Sequence, residues 1–176
     1  GEITVAGPTT TDSYFNREAA TIAAKIVEVR ADGGEQVVHR MGDVGYFDAE
    51  GRLWFCGRKT QRVQAADRAL YTEQVEPVFN AHPQVRRTAL VGVGVPGAQR
   101  PVLCVELAAG VDAGQFQRIQ GELRTLAAAH AHTAPVATFL RHPGFPVDIR
   151  HNAKIGREKL AAWAGAALSA GSGGAA

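Results

Sequence analysis

The sequence predicts an α+β fold in two parts, a β-rich segment followed by a smaller region of mixed helix and strand. Three observations predict it. Apolar and polar residues alternate through much of residues 1–58, the period of a half-buried strand. A polar, linker-like stretch, Gly57-Arg58-Lys59-Thr60-Gln61-Arg62, then interrupts the pattern. Beyond it, apolar residues recur at both helical and strand spacing.

In the first part, Ile3 and Val5 alternate with Glu2 and Thr4, and a second alternating run, Lys25 to Arg30, stops at the turn signal Asp32-Gly33-Gly34. Glu18 to Ala24 reads as a short helical turn. Val37 to Arg40, Val44 to Phe47 and Arg52 to Cys56 read as further strands, with Trp54 expected in the core. The last two are joined by Asp48-Ala49-Glu50-Gly51, a hairpin loop in which Gly51 suits a positive-φ position. In the second part, Thr72 is expected to cap a helix whose Val75, Val78 and Phe79 share a face, ending before Pro83. Arg87 to Val93 and Pro101 to Leu107 read as strands around the turn Gly94-Val95-Pro96-Gly97, with Arg86 and Arg87 at a solvated edge. Asp112 can cap a longer helix with Ile119, Leu123, Leu126 and Ala127 at helical spacing. A short strand, Thr138 to Leu140, and a final helix, Ile155 to Leu168 with Leu160 and Trp163 inward, complete the reading. Gly165 to Ala176 is almost entirely Gly, Ala and Ser and reads as a tail.

The 176 residues are 45% hydrophobic and 20% charged, an ordinary globular balance. A formal charge of +2 without clustering gives no basic face for nucleic acid. No apolar run approaches the length of a membrane span. Cys56 and Cys104 sit in apolar alternating runs with no disulfide framework, which fits a reduced, cytoplasmic setting. His130 and His132, two positions apart, would point to different faces of a helix, and no metal site is expected. The chain opens in mid-strand pattern without methionine, and is expected to continue a longer protein.

Four blocks carry a family resemblance. His39-Arg40-Met41-Gly42-Asp43-Val44-Gly45-Tyr46-Phe47 is followed by Gly51-Arg52-Leu53-Trp54-Phe55-Cys56-Gly57-Arg58-Lys59. Together they resemble the central signature of the acyl-adenylate-forming (AMP-dependent synthetase/ligase) superfamily. Gly1-Glu2-Ile3 with Gly7-Pro8 and Tyr14-Phe15 resembles an earlier segment of that family. Tyr71 to Glu76 resembles the opening of its small domain's first helix, and Asn152 to Glu158 its terminal lysine motif. The blocks occur in family order and cover nearly the whole chain. His39 to Asp43, Trp54 to Lys59 and Phe145 to Lys154 further resemble the β-lactone synthetases of bacterial long-chain olefin biosynthesis.

The resemblance implies an organisation: residues 1–58 as the β-rich end of a large ATP-binding domain, 59–62 as a hinge, 63–168 as a small mobile domain and 169–176 as a flexible tail. It implies ATP and Mg2+ as cofactors. Asp43 and Arg58 become nucleotide-binding residues, since a carboxylate can accept from ribose hydroxyls and a guanidinium fork suits ribose or phosphate oxygens. Alone, a Met-Gly-Asp triplet would read as a turn. Lys154 becomes the catalytic residue, its ammonium stabilising charge around the α-phosphate during adenylation; without the resemblance it is a solvated lysine. Thr60 takes the hinge position, where a few torsions would reorient the small domain. The family's usual residues at two motif positions are replaced by Met41 and Ala153. His39 and His151 adjoin signature blocks, but the sequence assigns them no role.

Three functions compete. One is formation of a β-lactone from a long-chain β-hydroxy acid, through an acyl-adenylate that the substrate's own hydroxyl closes with loss of AMP. Here a thiolase-like condensing enzyme and a β-lactone decarboxylase of the olefin pathway are implied neighbours. The second is acyl-CoA ligation. Against it, Ala66 and Asp67 stand where CoA ligases usually have glycines that let a backbone approach its ligand closely. The third is a non-catalytic binding module. Thr9-Thr10-Thr11 has neither the glycines nor the lysine of a phosphate loop. This stretch of chain is therefore expected to be inert without an N-terminal portion of the same enzyme.

Overall fold

The computed structural model describes residues 1–148 and 151–172. They form two compact units, residues 1–60 and residues from Gln61 onward. A single 3-10 turn, Lys59–Gln61, lies at the junction.

The first unit contains β1 (Glu2–Val5), α1 (Glu18–Ala24), β2 (Lys25–Val29), β3 (Glu35–Phe47) and β4 (Leu53–Arg58). All the pairings run antiparallel to β3, which receives β1, β2 and β4. Where the alternation suggests two strands, Val37 to Arg40 and Val44 to Phe47, the chain makes one. Gly42, at φ 71°, lets the strand deform in its middle without ending. The core here is small, with Val38, Val44 and Cys56 buried. Trp54 is not a core residue: it is 49% exposed, stacks on Tyr46 at 6.5 Å and donates its indole N–H to Asp48 Oδ2 at 2.7 Å. An indole needs a partner for its N–H, and a hairpin carboxylate supplies one at the surface.

The second unit opens with a minimal hairpin, β5 (Val63–Gln64) and β6 (Ala69–Leu70). It continues through α2 (Thr72–Asn80), β7 (Val85–Val93), β8 (Arg100–Leu107), a 3-10 turn (Ala113–Gln115) and α3 (Phe116–Ala128). It closes with β9 (Thr138–Arg141), β10 (Val147–Asp148), β11 (His151–Ile155) and α4 (Arg157–Ser172). The sheet runs β7-β8-β9, antiparallel then parallel.

Successive residues of the sheet point to opposite faces. Leu90, Leu103, Val105 and Phe139 pack with Phe79 of α2 and Ile119 and Leu123 of α3. Ala89, Val91, Val102 and Cys104 pack with Leu160 and Ala164 of α4. The continuous apolar runs of β7 and β8 follow from this burial on both faces. Each large side chain so buried contributes about 1.5–3 kcal/mol.

Four expectations shift. Thr72 is the buried first residue of α2 rather than its cap; Tyr71 holds the cap position and makes no side-chain cap bond. Ile155 belongs to β11, because Gly156 donates to Pro146 O at 2.7 Å and closes a hairpin before the helix begins. α4 then runs to Ser172, through residues whose composition reads as a tail; the alanines that weaken a core are good helix formers. His130 and His132 lie in the turns after α3, not on a helix, with rings 5.6 Å apart.

Candidate functional site

The β3–β4 hairpin carries Asp43 and Arg58. Asp48 organises its loop: Oδ1 accepts from the backbone N–H of Glu50 and Arg52, and Oδ2 from Arg52 Nε and Trp54 Nε1. The indole N–H, followed by the Arg52 bonds, holds its carboxyl below the usual carboxylate range. Gly51 takes φ 77°, as the loop predicts. From this fixed end, Phe47 pairs with Leu53, Tyr46 with Trp54 and Gly45 with Phe55.

A regular ladder would then set Asp43 opposite Gly57. Instead the register slips by one between Val44 and Gly45, so that Val44 faces Gly57 and Asp43 faces Arg58. Such a bulge re-aims side chains, and Gly57, at φ 120°, supplies the backbone it needs. Asp43 Oδ1 lies 3.1 Å from Arg58 Nη1, which also donates to Met41 O at 3.0 Å. That carboxylate oxygen is buried yet makes no hydrogen bond. Arg58 is more than half exposed. The Asp43 side chain as a whole is 20% exposed, so the pair presents a partly exposed carboxylate beside a reachable cation, groups that can accept from a hydroxyl and donate to a phosphate.

Around it, Glu2 Oε2 accepts from Arg40 Nη2 at 2.6 Å and from Lys59 Nζ at 2.8 Å, tying β1 to β3 and to the end of β4. These bonds, Arg40's first, bring the Glu2 carboxyl down to about 2. His39 Nδ1 sits 3.3 Å from Ala24 O and its ring meets Tyr14 edge-on, so a local role accounts for it. Thr60 is exposed in the middle of the Lys59–Gln61 turn.

Lys154 is carried by the second unit, on β11, and is exposed. It lines a groove of about 220 Å³ with Pro146, Val147, Asp148, Gly156 and Lys159. Ala153 falls inside the strand. The side chain of His151 lies outside the described residues.

Sequence patterning does not reveal the groups that anchor the β10–β11 hairpin, on which Lys154 lies. Glu76 is 7% exposed and accepts from Leu90 N at 2.7 Å and Arg157 Nη2 at 2.9 Å. Burial pushes its carboxyl up, against the pull of Arg157. Arg86 is solvated as expected, 63% exposed, while Arg87 is half-buried; both bond Glu106, which is 3% exposed and also accepts from Phe145 N. Burial pushes Glu106 up, but these donors outweigh it and hold the group low. A buried glutamate leaves no sequence signal when its partner is 81 positions away.

Among the described residues, no helix is long and apolar enough to cross a membrane. No three His, Cys, Asp or Glu side chains gather as a metal site among them either.

A β-rich unit with a paired Asp and Arg, joined to an α+β unit presenting a lysine on a hairpin, matches the adenylate-forming ligases in fold. The amide bond synthetase McbA from Marinactinospora thermotolerans superposes over 93% of this chain and 31% of its own, with TM-score 0.70 and 27% identity. O-succinylbenzoate coenzyme A synthetase from Bacillus subtilis, solved with AMP, superposes over 91% of this chain and 30% of its own, with TM-score 0.65 and 28% identity. The chain belongs to this superfamily of ligases.

In sequence it is 75% identical over 164 residues, 93% of its length, to the olefin beta-lactone synthetase of Xanthomonas campestris pv. campestris. It is 69% identical over 168 residues to the enzyme of the same name from Stenotrophomonas maltophilia. A 2-succinylbenzoate–CoA ligase of Bacillus cereus is 38% identical over 93 residues. The chain spans 30% of the length of the two beta-lactone synthetases. No family model matches the chain.

Proposed function

We propose that this chain is the C-terminal part of an ATP-dependent enzyme that activates a long-chain β-hydroxy acid as its acyl-adenylate and releases it as a β-lactone. Residues 1–58 are then the end of the ATP-binding domain, 59–62 a hinge turning at Thr60, and 63–168 the mobile domain. The observation that carries the nucleotide half is the Asp43–Arg58 pair, a partly exposed carboxylate 3.1 Å from an exposed guanidinium. In this reading Asp43 accepts from the ribose hydroxyls and Arg58 reaches ribose or phosphate oxygens. Lys154 brings its ammonium to the charge that builds on the α-phosphate oxygens as the carboxylate attacks. Magnesium bound with ATP would offset phosphate charge; among the described residues no three His, Cys, Asp or Glu side chains gather to hold it.

Lactone rather than thioester as product is supported by the names of the two relatives at 75% and 69% identity. It is supported as well by the loop between β5 and β6. That loop closes by Ala65 N donating to Arg68 O at 2.9 Å, and Arg68 pairs with Asp67. Ala66 and Asp67, both exposed in this loop, carry side chains where the family resemblance implies glycines in CoA ligases. An internal hydroxyl also has the proximity advantage over any second substrate. Acyl-CoA ligation is the second reading, favoured by the 38% identity to a CoA ligase. A cytoplasmic setting fits the free, buried Cys56 and Cys104.

The test follows AMP and pyrophosphate release by the full-length enzyme with ATP, magnesium and acid. A β-hydroxy acid should release both. The same acid without its hydroxyl should release pyrophosphate to one equivalent and then stall. Continued AMP release from the acid that lacks the hydroxyl, without CoA, would contradict the proposal.

A further inference from the structure

We propose that Glu76 and Glu106 are positioning residues for Lys154, clamping the two ends of the hairpin that carries it. The proposal rests on the catalytic reading of Lys154.

The hairpin strands β10 and β11 follow Phe145 and precede Arg157 in the body of the second unit. At the first end, Phe145 N donates to Glu106 Oε2 at 2.9 Å, and the Phe145 ring is buried beneath the Arg87 guanidinium, 5.2 Å from its centroid. Glu106 is itself fixed by Arg87 Nε at 2.9 Å and Arg86 Nη1 at 2.6 Å. At the second end, Arg157 donates through both terminal nitrogens to Glu76, with Nη2 to Oε2 at 2.9 Å. Its Nη1 also reaches Leu90 O at 3.3 Å, while Leu90 N donates to Glu76 Oε1 at 2.7 Å. The two ends are stitched together by Gly156 N on Pro146 O at 2.7 Å. A Cβ on Gly156 would stand 3.3 Å from that oxygen, so the approach is close.

Buried ion pairs are weak stabilising devices, because desolvation offsets most of their attraction. Two of them at the two ends of one short hairpin contribute geometry. Glu106 lies on β8 and Glu76 on α2, elements packed on the main core, so each transmits the rigidity of the sheet to the lysine's strand. A lysine on a flexible stem acts as a point charge, and its effect depends on where the backbone presents it.

The test is a double-mutant cycle in the full-length enzyme, combining Glu106→Gln or Glu76→Gln with Lys154→Ala. We expect each glutamine alone to lower kcat for adenylation about 10-fold or more, with KM for ATP changed less than about twofold. In the Lys154→Ala background the same change should alter the residual rate by less than about twofold, because coupled residues are non-additive. Equal losses in both backgrounds, or no loss with Lys154 present, would overturn the proposal. Hydrogen exchange of this 176-residue chain gives a second readout and guards against misfolding. Amides of residues 154–156 should exchange about 10-fold faster in either variant while those of β7 and β8 stay protected. Unchanged exchange at 154–156 would also overturn it. If Lys154→Ala alone leaves the rate intact, the catalytic reading of Lys154 falls, and exchange alone then decides whether the clamp exists.

Discussion

Asp43 faces Arg58 across β3 and β4 only because the ladder slips by one residue at Val44 and Gly45. The slip brings the two charges to 3.1 Å and leaves a buried carboxylate oxygen without a hydrogen bond. Arg58 is more than half exposed and the Asp43 side chain 20% exposed, so both charges stay within reach of a ligand.

Asp43→Asn should therefore weaken nucleotide binding more than it weakens the fold. Losing one charge-assisted bond is worth about 1.5–3 kcal/mol, so KM for ATP in the full-length enzyme should rise about 10-fold or more. Initial rates against ATP concentration check this. An unchanged KM with a lower melting temperature would make Asp43 a structural residue.

Gly57→Ala tests the slip itself. At φ 120° an L side chain is strained by about 1–3 kcal/mol. The variant should either lose that stability in urea denaturation or shift the register and lose the Asp43–Arg58 pairing. A variant with parental stability and parental KM for ATP would show that the bulge does not need glycine.

Lys154→Ala should lower kcat for adenylation by about 10²–10³, the usual cost of removing one electrostatic stabiliser of a transition state. Because the side chain is exposed, stability should change by no more than about 0.5 kcal/mol. Stopped-flow pyrophosphate release and a thermal melt measure the two effects.

Glu2 supplies a pH signature. Its bonds to Arg40 and then Lys59 lower its carboxyl from 4.5 to about 2. A carboxylate depressed in the folded state stabilises the fold above its unfolded value, and that contribution disappears as pH falls from about 4.5 through about 2. A carbon-detected NMR titration should place the Glu2 midpoint near 2, and Arg40→Gln should raise it. A midpoint near 4.5 in the parent chain would rule out the Glu2–Arg40–Lys59 cluster.

Much of the fold is legible in the amino-acid sequence. The β7 and β8 runs, the turn at Gly94 to Gly97 and the α3 face of Ile119, Leu123 and Ala127 follow from periodicity, because packing obeys it directly. Asp43, Arg58 and Lys154 stand out through local motifs. What is not legible depends on distant partners. Nothing at Glu106 announces that Arg86, Arg87 and Phe145 converge on it, and nothing at Glu76 announces Arg157. The single strand through Gly42 is hidden too, since one glycine reads equally as a break or as a bulge. Composition misleads in the second half of α4, where a Cβ placed on Gly165 would stand 3.6 Å from Val93 Cγ1, so that this glycine belongs to the packed helix.

The identity of the product is the sharpest test. The full-length enzyme is incubated with ATP, magnesium and a long-chain β-hydroxy acid, with and without CoA, and the product is identified by NMR. A β-lactone is expected in both samples, formed at the same rate. A thioester that forms only when CoA is present would contradict lactone formation, and with it the role given to the side chains of Ala66 and Asp67.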